Sequence, residues 1–174
     1  MASPQVRFAD LLARHRGIVL KVAHTYCRHP QDRQDLAQEI AAQLWRAYPR
    51  YDSNRPFTTW MYRIALNVAI SGVRTAAVHG RAVPLDAALE ADEALWVEDG
   101  TASADSERAI ASLHAVIDRQ SPLDRALLLL WLDERPQREI AEVLGLSESN
   151  VATKLQRLRQ RIRTQLEQPD QPAR

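Results

Sequence analysis

The stretch Gln137–Arg163, QREIAEVLGLSESNVATKLQRLRQRIR, decides how the fold is read. Ile140 and Leu144 stand four residues apart, on one face of a short helix. Ala141 is small, as required where two helices cross closely. Gly145 follows Leu144, where a tight turn demands a positive φ. Ser147 can cap a second helix by accepting a hydrogen bond from its unpaired first-turn N–H groups. Val151, Leu155, Leu158 and Ile162 give that helix an apolar stripe. A short helix, a glycine turn and a capped second helix make a helix-turn-helix, whose second helix can enter the major groove of DNA. It carries Lys154, Arg157, Arg159, Arg161 and Arg163 against Glu148. Those cations can neutralise phosphates, while N-terminal residues such as Ser149 and Asn150 reach base edges. Cations are favoured at any helix C-terminus; the alanine, the glycine, the cap and the apolar register together point to DNA.

Working back from this motif, Ser121-Pro122-Leu123-Asp124 forms a capping box with proline at the first helical position, opening a helix over Leu123–Leu132. Ile110, Leu113 and Val116 or Ile117 continue the helical spacing upstream. Between Ala76 and Glu107 the periodicity fades into small and acidic residues, with Gly80, Pro84 and Gly100 and one short helical turn near Asp86–Leu95. The N-terminal part is helical again. Phe8, Leu12, His15, Val19, Val22 and Tyr26 mark one helix, ended by Pro30. Leu36, Ile40, Leu44 and Tyr48 mark a second, from about Gln31 to Ala47, stopped before Pro49. After the polar loop Tyr51–Arg55, Pro56 opens a third, with Phe57, Trp60, Ile64 and Val68 on its stripe. Trp45, Phe57 and Trp60 are expected in the core. The fold class that follows is all-α: two small helical domains, 1–75 and 107–168, joined by an acidic linker, 76–106.

Charge follows the same division. Residues 1–75 carry 11 Arg/Lys against 5 Asp/Glu, 76–107 carry 1 against 8, and 108–174 carry 11 against 9. Two basic blocks flank an acidic one, the distribution expected of a nucleic-acid partner rather than of a net charge of +1. Six of the ten aromatics lie between Trp45 and Tyr62, interleaved with Arg46, Arg50 and Arg55. Aromatic faces stack on unpaired bases while arginines follow the backbone. No apolar run nears the ~20 residues of a membrane span, and no apolar segment follows a basic start. With Cys27 alone, no intrachain disulfide is expected, and a cytoplasmic location fits. His24, Cys27 and His29 lack a fourth ligand nearby, so no metal is expected. No cofactor or small-molecule substrate is expected. Serine-hydrolase, phosphate-loop and zinc-protease motifs are all missing, so the chain is read as no enzyme. The competing reading is a conventional helix-turn-helix regulator that acts without RNA polymerase.

The segments DRQDLAQEIAAQLWRAYPRYDSNRPFTTWMYRIALNVAISGVR and SPLDRALLLLWLDERPQREIAEVLGLSESNVATKLQRLRQRIR resemble regions 2 and 4 of the extracytoplasmic-function (ECF) sigma factors of bacterial RNA polymerase. The carrying residues are Asp35-Leu36 with Gln38-Glu39, then Phe57, Trp60, Tyr62-Arg63-Ile64-Ala65 and Asn67, then the helix-turn-helix. The resemblance implies a sigma factor that binds core RNA polymerase and directs promoter-specific transcription initiation. It implies that Asp35, Gln38 and Glu39 meet a coiled coil of the polymerase's largest subunit. It implies that the loop Tyr51–Pro56 traps a base of the melted −10 element, with Asn54, Arg55 and Asn67 as the expected DNA contacts. At the −35 element, Ser149, Asn150, Thr153, Lys154, Gln156 and Arg157 are the expected contacts. Many members are basic where this chain has Ala152, which instead suits a thymine methyl. The linker reads either as an anionic mimic of nucleic acid in the polymerase or as a self-repelling tether. An anti-sigma factor, in many members membrane-bound, is a further implied partner and would hold the protein at the inner membrane face.

Overall fold

A computed structural model of the chain describes residues 3–78 and 115–167. All the regular structure among them is helical, and they fall into two compact units, one built on 3–78 and the other on 115–141 and 146–167. The acidic stretch 76–106 lies almost wholly outside the described residues, as do Ile110 and Leu113.

In the N-terminal unit, α1 (Pro4–Arg14) starts as its composition dictates, with Pro4 in the first turn and the Ser3 hydroxyl accepting from the Val6 N–H at 3.3 Å. The single helix expected through Phe8–Tyr26 is instead two. The chain leaves helical geometry at His15 (φ −112°, ψ 15°) and α2 resumes at Arg16–Tyr26. The physical reason is tertiary. The break lets Phe8 reach the rings of Trp45 and Tyr48, at centroid separations of 5.2 and 5.0 Å, while His15 lies 5.7 Å from Phe57. Pro30, expected as a terminator, is the first residue of α3 (Pro30–Ala47), where its fixed φ and missing N–H cost nothing. A 3₁₀ turn, Tyr48–Arg50, follows.

The core forms where α2, α3 and α4 (Phe57–Val78) pack together. Val22, Ile40, Leu44, Met61, Tyr62 and Leu66 are fully buried there. The third stripe is rotated from its expected position. Phe57 is buried, but Met61, Tyr62, Ala65, Leu66 and Ala69 form the buried face, and Trp60, Ile64 and Val68 are half-buried. Packing against two helices gives α4 a wide buried face, whose middle is displaced from the Phe57–Trp60–Ile64–Val68 line. Trp45, expected in the core, is 42% exposed. Ile40 and Leu44 already occupy the inward line of α3, one turn apart, and Trp45 falls about 100° round the helix from Leu44.

In the C-terminal unit, residues 115–118 are helical and Ser121 caps α5 (Pro122–Leu132), its hydroxyl accepting from the Asp124 N–H at 3.1 Å. Ala126, Leu127, Leu128 and Leu130 are buried. Buried Gln120 donates from its amide to the Val116 carbonyl at 2.9 Å and to Gln165 Oε1 at 3.1 Å. This ties the start of the unit to its last helix. Arg135 donates its N–H to the Leu130 carbonyl at 3.0 Å, across Glu134 at φ +56°. Next come α6 (Gln137–Leu144) and α7 (Glu148–Glu167).

Candidate nucleic-acid and polymerase interfaces

The turn joining α6 to α7 is closed by backbone chemistry. Gly145 sits at φ +67°, and the Leu146 N–H reaches back to the Ala141 carbonyl at 3.0 Å, the six-residue closure of a helix C-terminus. A Cβ added at Gly145 would meet nothing within 4 Å, so glycine is needed there for its φ and not for space. Ser147 then caps α7, its hydroxyl accepting from the Asn150 N–H at 3.3 Å and its carbonyl from the Val151 N–H at 3.0 Å.

With both ends defined, the faces of α7 are set. Val151, Leu155 and Leu158 are buried. Ser149, Thr153, Gln156 and Gln160 recur along the opposite side and are exposed, with exposed Asn150 and Arg157 beside them. Lys154 and Ala152 are half-buried at the flanks. The six residues expected at −35 DNA therefore share one continuous surface. Thr153 returns its hydroxyl to the Ser149 carbonyl at 3.0 Å. The cations divide. Arg161 lies 3.4 Å from Asp124, so its charge is matched within its own unit, and Arg159 stands over the Trp131 ring at 5.3 Å. Neither arrangement was legible from spacing along α7, because both partners come from α5.

In the N-terminal unit, the loop between the 3₁₀ turn and α4 is held from inside. Asp52 Oδ1 accepts from both the backbone N–H and the side-chain amide of Asn54, each at 3.0 Å. The Arg55 N–H donates to the Asp52 carbonyl at 3.0 Å, and the Tyr51 hydroxyl donates to the Arg55 carbonyl at 2.6 Å. The Tyr51 ring in turn packs on Tyr48, Phe57 and Trp60 at 6.1, 5.4 and 5.0 Å. Burial, and then the neighbouring Tyr48 and Asp52, raise the Tyr51 phenol above its usual pKa, which keeps the hydroxyl a donor. Sequence reasoning singled out Asn54 and Arg55 but missed Tyr51 and Asp52 as their supports. The D-x-N spacing of an Asx turn was the available signal. Asn67 and Arg63 are exposed, one turn apart on α4.

The third surface lies on α3. Asp35, Gln38 and Glu39 are exposed and share one side of the helix. Glu39 accepts from the Gln43 amide at 2.8 Å and lies 3.8 Å from Arg46. Among the described residues, no group of three His, Cys, Asp or Glu is disposed to hold a metal, and no helix is long and apolar enough to cross a membrane. The Cys27 thiol is pushed up to about 11, chiefly by burial and then by Asp32, with Arg33 opposing and Asp35 adding.

A capped helix-turn-helix in one unit and an arginine-flanked aromatic cluster in another, both all-helical, are the architecture of a DNA-binding protein. Comparison with known proteins makes this specific. The model for Sigma-70 region 2 matches residues 11–78, and that for Sigma-70, region 4 matches residues 110–162. The ECF RNA polymerase sigma factor SigW of Bacillus subtilis is 26% identical, over 93% of this chain and 90% of that protein. The RNA polymerase sigma-H factor of Pseudomonas aeruginosa is 29% identical, over 89% of this chain and 83% of that protein. Two other relatives are longer, and the chain spans 42% and 45% of their lengths. The fold is shared with the sigma factor RpoE of Bartonella quintana, solved in complex with the anti-sigma factor NepR. The TM-score is 0.71 at 14% identity, covering 92% of this chain and 97% of that one. The chain belongs to the sigma-70 family of RNA polymerase sigma factors, in its ECF group. The conventional-regulator reading is thereby set aside.

Proposed function

We propose that this sigma factor binds core RNA polymerase through Asp35, Gln38 and Glu39 and reads promoters at two places. The α7 surface of Ser149, Asn150, Thr153, Lys154, Gln156 and Arg157 takes duplex −35 DNA in the major groove. Asn54, Arg55 and Asn67 take the melted −10 strand. The observation that carries this reading is the division of α7 into a buried apolar stripe and a continuous exposed polar face, because a helix can read a groove only with a face its own fold leaves free. The internally bonded 51–55 loop supports the second site, since a pocket for an extruded base must be preorganised to offset the unstacking, which costs a few kcal/mol. The protein acts without catalysis of its own, on the cytoplasmic side of the membrane. An anti-sigma factor is the further partner, by extension from the RpoE–NepR pair; holding of the chain inactive at the membrane face is what the family resemblance adds to that reading.

The domains are taken as 1–75 and 107–168, each folding by itself, with 76–106 as the acidic tether. Limited proteolysis is then expected to cut first near Gly80 or Gly100. A first cut within Leu36–Leu44 would be at odds with this division. The function is tested by adding the purified chain to core polymerase and a random-sequence promoter library. Stoichiometric co-purification and discrete start sites absent from core alone are expected. Failure to bind core would refute the assignment.

A further inference from the structure

The exposed face of α7 is bordered on both sides by cations, and the C-terminal unit treats the two borders differently. At 3.6 residues per turn, Lys154 and Arg161 lie to one side of the Ser149–Thr153–Gln156–Gln160 line, and Arg159 and Arg163 to the other. Arg161 is matched by the carboxylate of Asp124 at 3.4 Å, whose side chain is only 15% exposed. Arg159 has no such carboxylate in the contact that holds it. Its guanidinium carbon lies 5.3 Å from the centre of the Trp131 ring. An ion pair cancels a charge, whereas an aromatic face holds a guanidinium flat and leaves its positive charge and N–H edge available. Trp131 is 39% exposed, so the core alone does not account for a tryptophan there. On the same border, Gln156, Arg159, Gln160 and Arg163 line one shallow concavity, and every one of these side chains carries N–H donors.

We propose that this concavity receives a phosphate of the DNA backbone, with Arg159 as the phosphate contact and Trp131 as its positioning residue. The inference rests on the reading of α7 as the duplex-binding helix. A helix lying in the major groove has a sugar-phosphate strand along each border, and a preoriented guanidinium on one border engages it with little loss of side-chain freedom. On the opposite border the charge of Arg161 is already matched by Asp124, which leaves Lys154 to meet that strand.

The test uses holoenzyme assembled from core polymerase and the full chain, bound to the duplex promoter that the parent holoenzyme selects from random sequence. Affinity is measured across about 50–200 mM salt. Arg159→Ala is expected to weaken binding roughly three- to tenfold and to lower the slope of log affinity against log salt by about 0.9, the loss of one phosphate. Trp131→Ala is expected to weaken binding roughly two- to fivefold, Trp131→Phe to restore most of that, and Trp131→Leu not to restore it. In the Arg159→Ala background, Trp131→Ala should cost nothing further, a non-additivity that a merely structural role for Trp131 would not produce. If Arg159→Ala keeps the parent's affinity and slope while Arg157→Ala weakens binding, the phosphate assignment is wrong and the reading of α7 stands. If Trp131→Ala costs as much with Arg159 absent as with it present, Trp131 is not a positioning residue. If neither arginine variant alters duplex binding, the reading of α7 itself fails and takes this inference with it.

Discussion

Two of the described residues occupy the left-handed region, and only one of them is suited to it. Gly145 at φ +67° carries no Cβ, whereas Glu134 at φ +56° does. An L-residue there costs roughly 1–2 kcal/mol. Glu134 is exposed, so little packing offsets that cost. Glu134→Gly is therefore expected to stabilise the chain by about 1 kcal/mol in urea denaturation, and Gly145→Ala to destabilise it by about the same amount. A loss of stability in the first variant would show that the Glu134 side chain makes a contact worth more than the strain. Cys27 gives a second prediction. With its thiol raised to about 11 from an ordinary 9.0, by burial first and then by Asp32, its thiolate fraction near neutral pH falls on the order of a hundredfold. Alkylation by iodoacetamide should be correspondingly slow in the folded chain and return to the free-thiol rate in denaturant. Equal rates in both would contradict the burial argument.

At the scale of elements, α3 shows how one helix serves both core and partner. Ile40 and Leu44 are fully buried, while Asp35, Gln38 and Glu39 point to solvent. Exposed carboxylates contribute little to folding, with contacts like that of Glu39 to Arg46 worth at most about 1 kcal/mol. Replacing Asp35 and Glu39 together by alanine should leave helicity and melting temperature nearly unchanged and weaken core polymerase binding by roughly tenfold or more. Parent-like binding by the double variant would remove α3 from the interface. The 51–55 loop is the contrasting case. It is irregular in backbone, yet ordered by Asp52 and Tyr51, so its expected function depends on hydrogen bonds that a helix would not need.

For the whole molecule, the two DNA sites should fail differently. Arg157→Ala should weaken duplex −35 binding by roughly 1–3 kcal/mol if the arginine meets a guanine bidentately, and be partly rescued on a template supplied already melted. Asn54→Ala or Arg55→Ala should leave duplex docking intact and abolish capture of the −10 strand. Transcription from duplex and pre-melted templates at fixed salt separates the two classes. Identical losses on both templates would collapse them into one site.

The helix-turn-helix was legible in the sequence almost residue by residue, from Ile140 through Gly145 and Ser147 to Leu158. Its determinants are local: a cap, a positive φ and a 3.6-residue period act within a few positions of one another. The family could be recognised for the same reason, since its motifs keep their order along the chain. The break at His15, the rotation of the α4 stripe and the exposure of Trp45 were decided only by tertiary structure. Each depends on which neighbour reaches a face first, and the period along a single helix carries no record of that. The division among the cations of α7 belongs to the same class. Arg159 and Arg161 are two residues apart and chemically identical, and only the positions of Trp131 and Asp124 on α5 leave one charge available and the other neutralised.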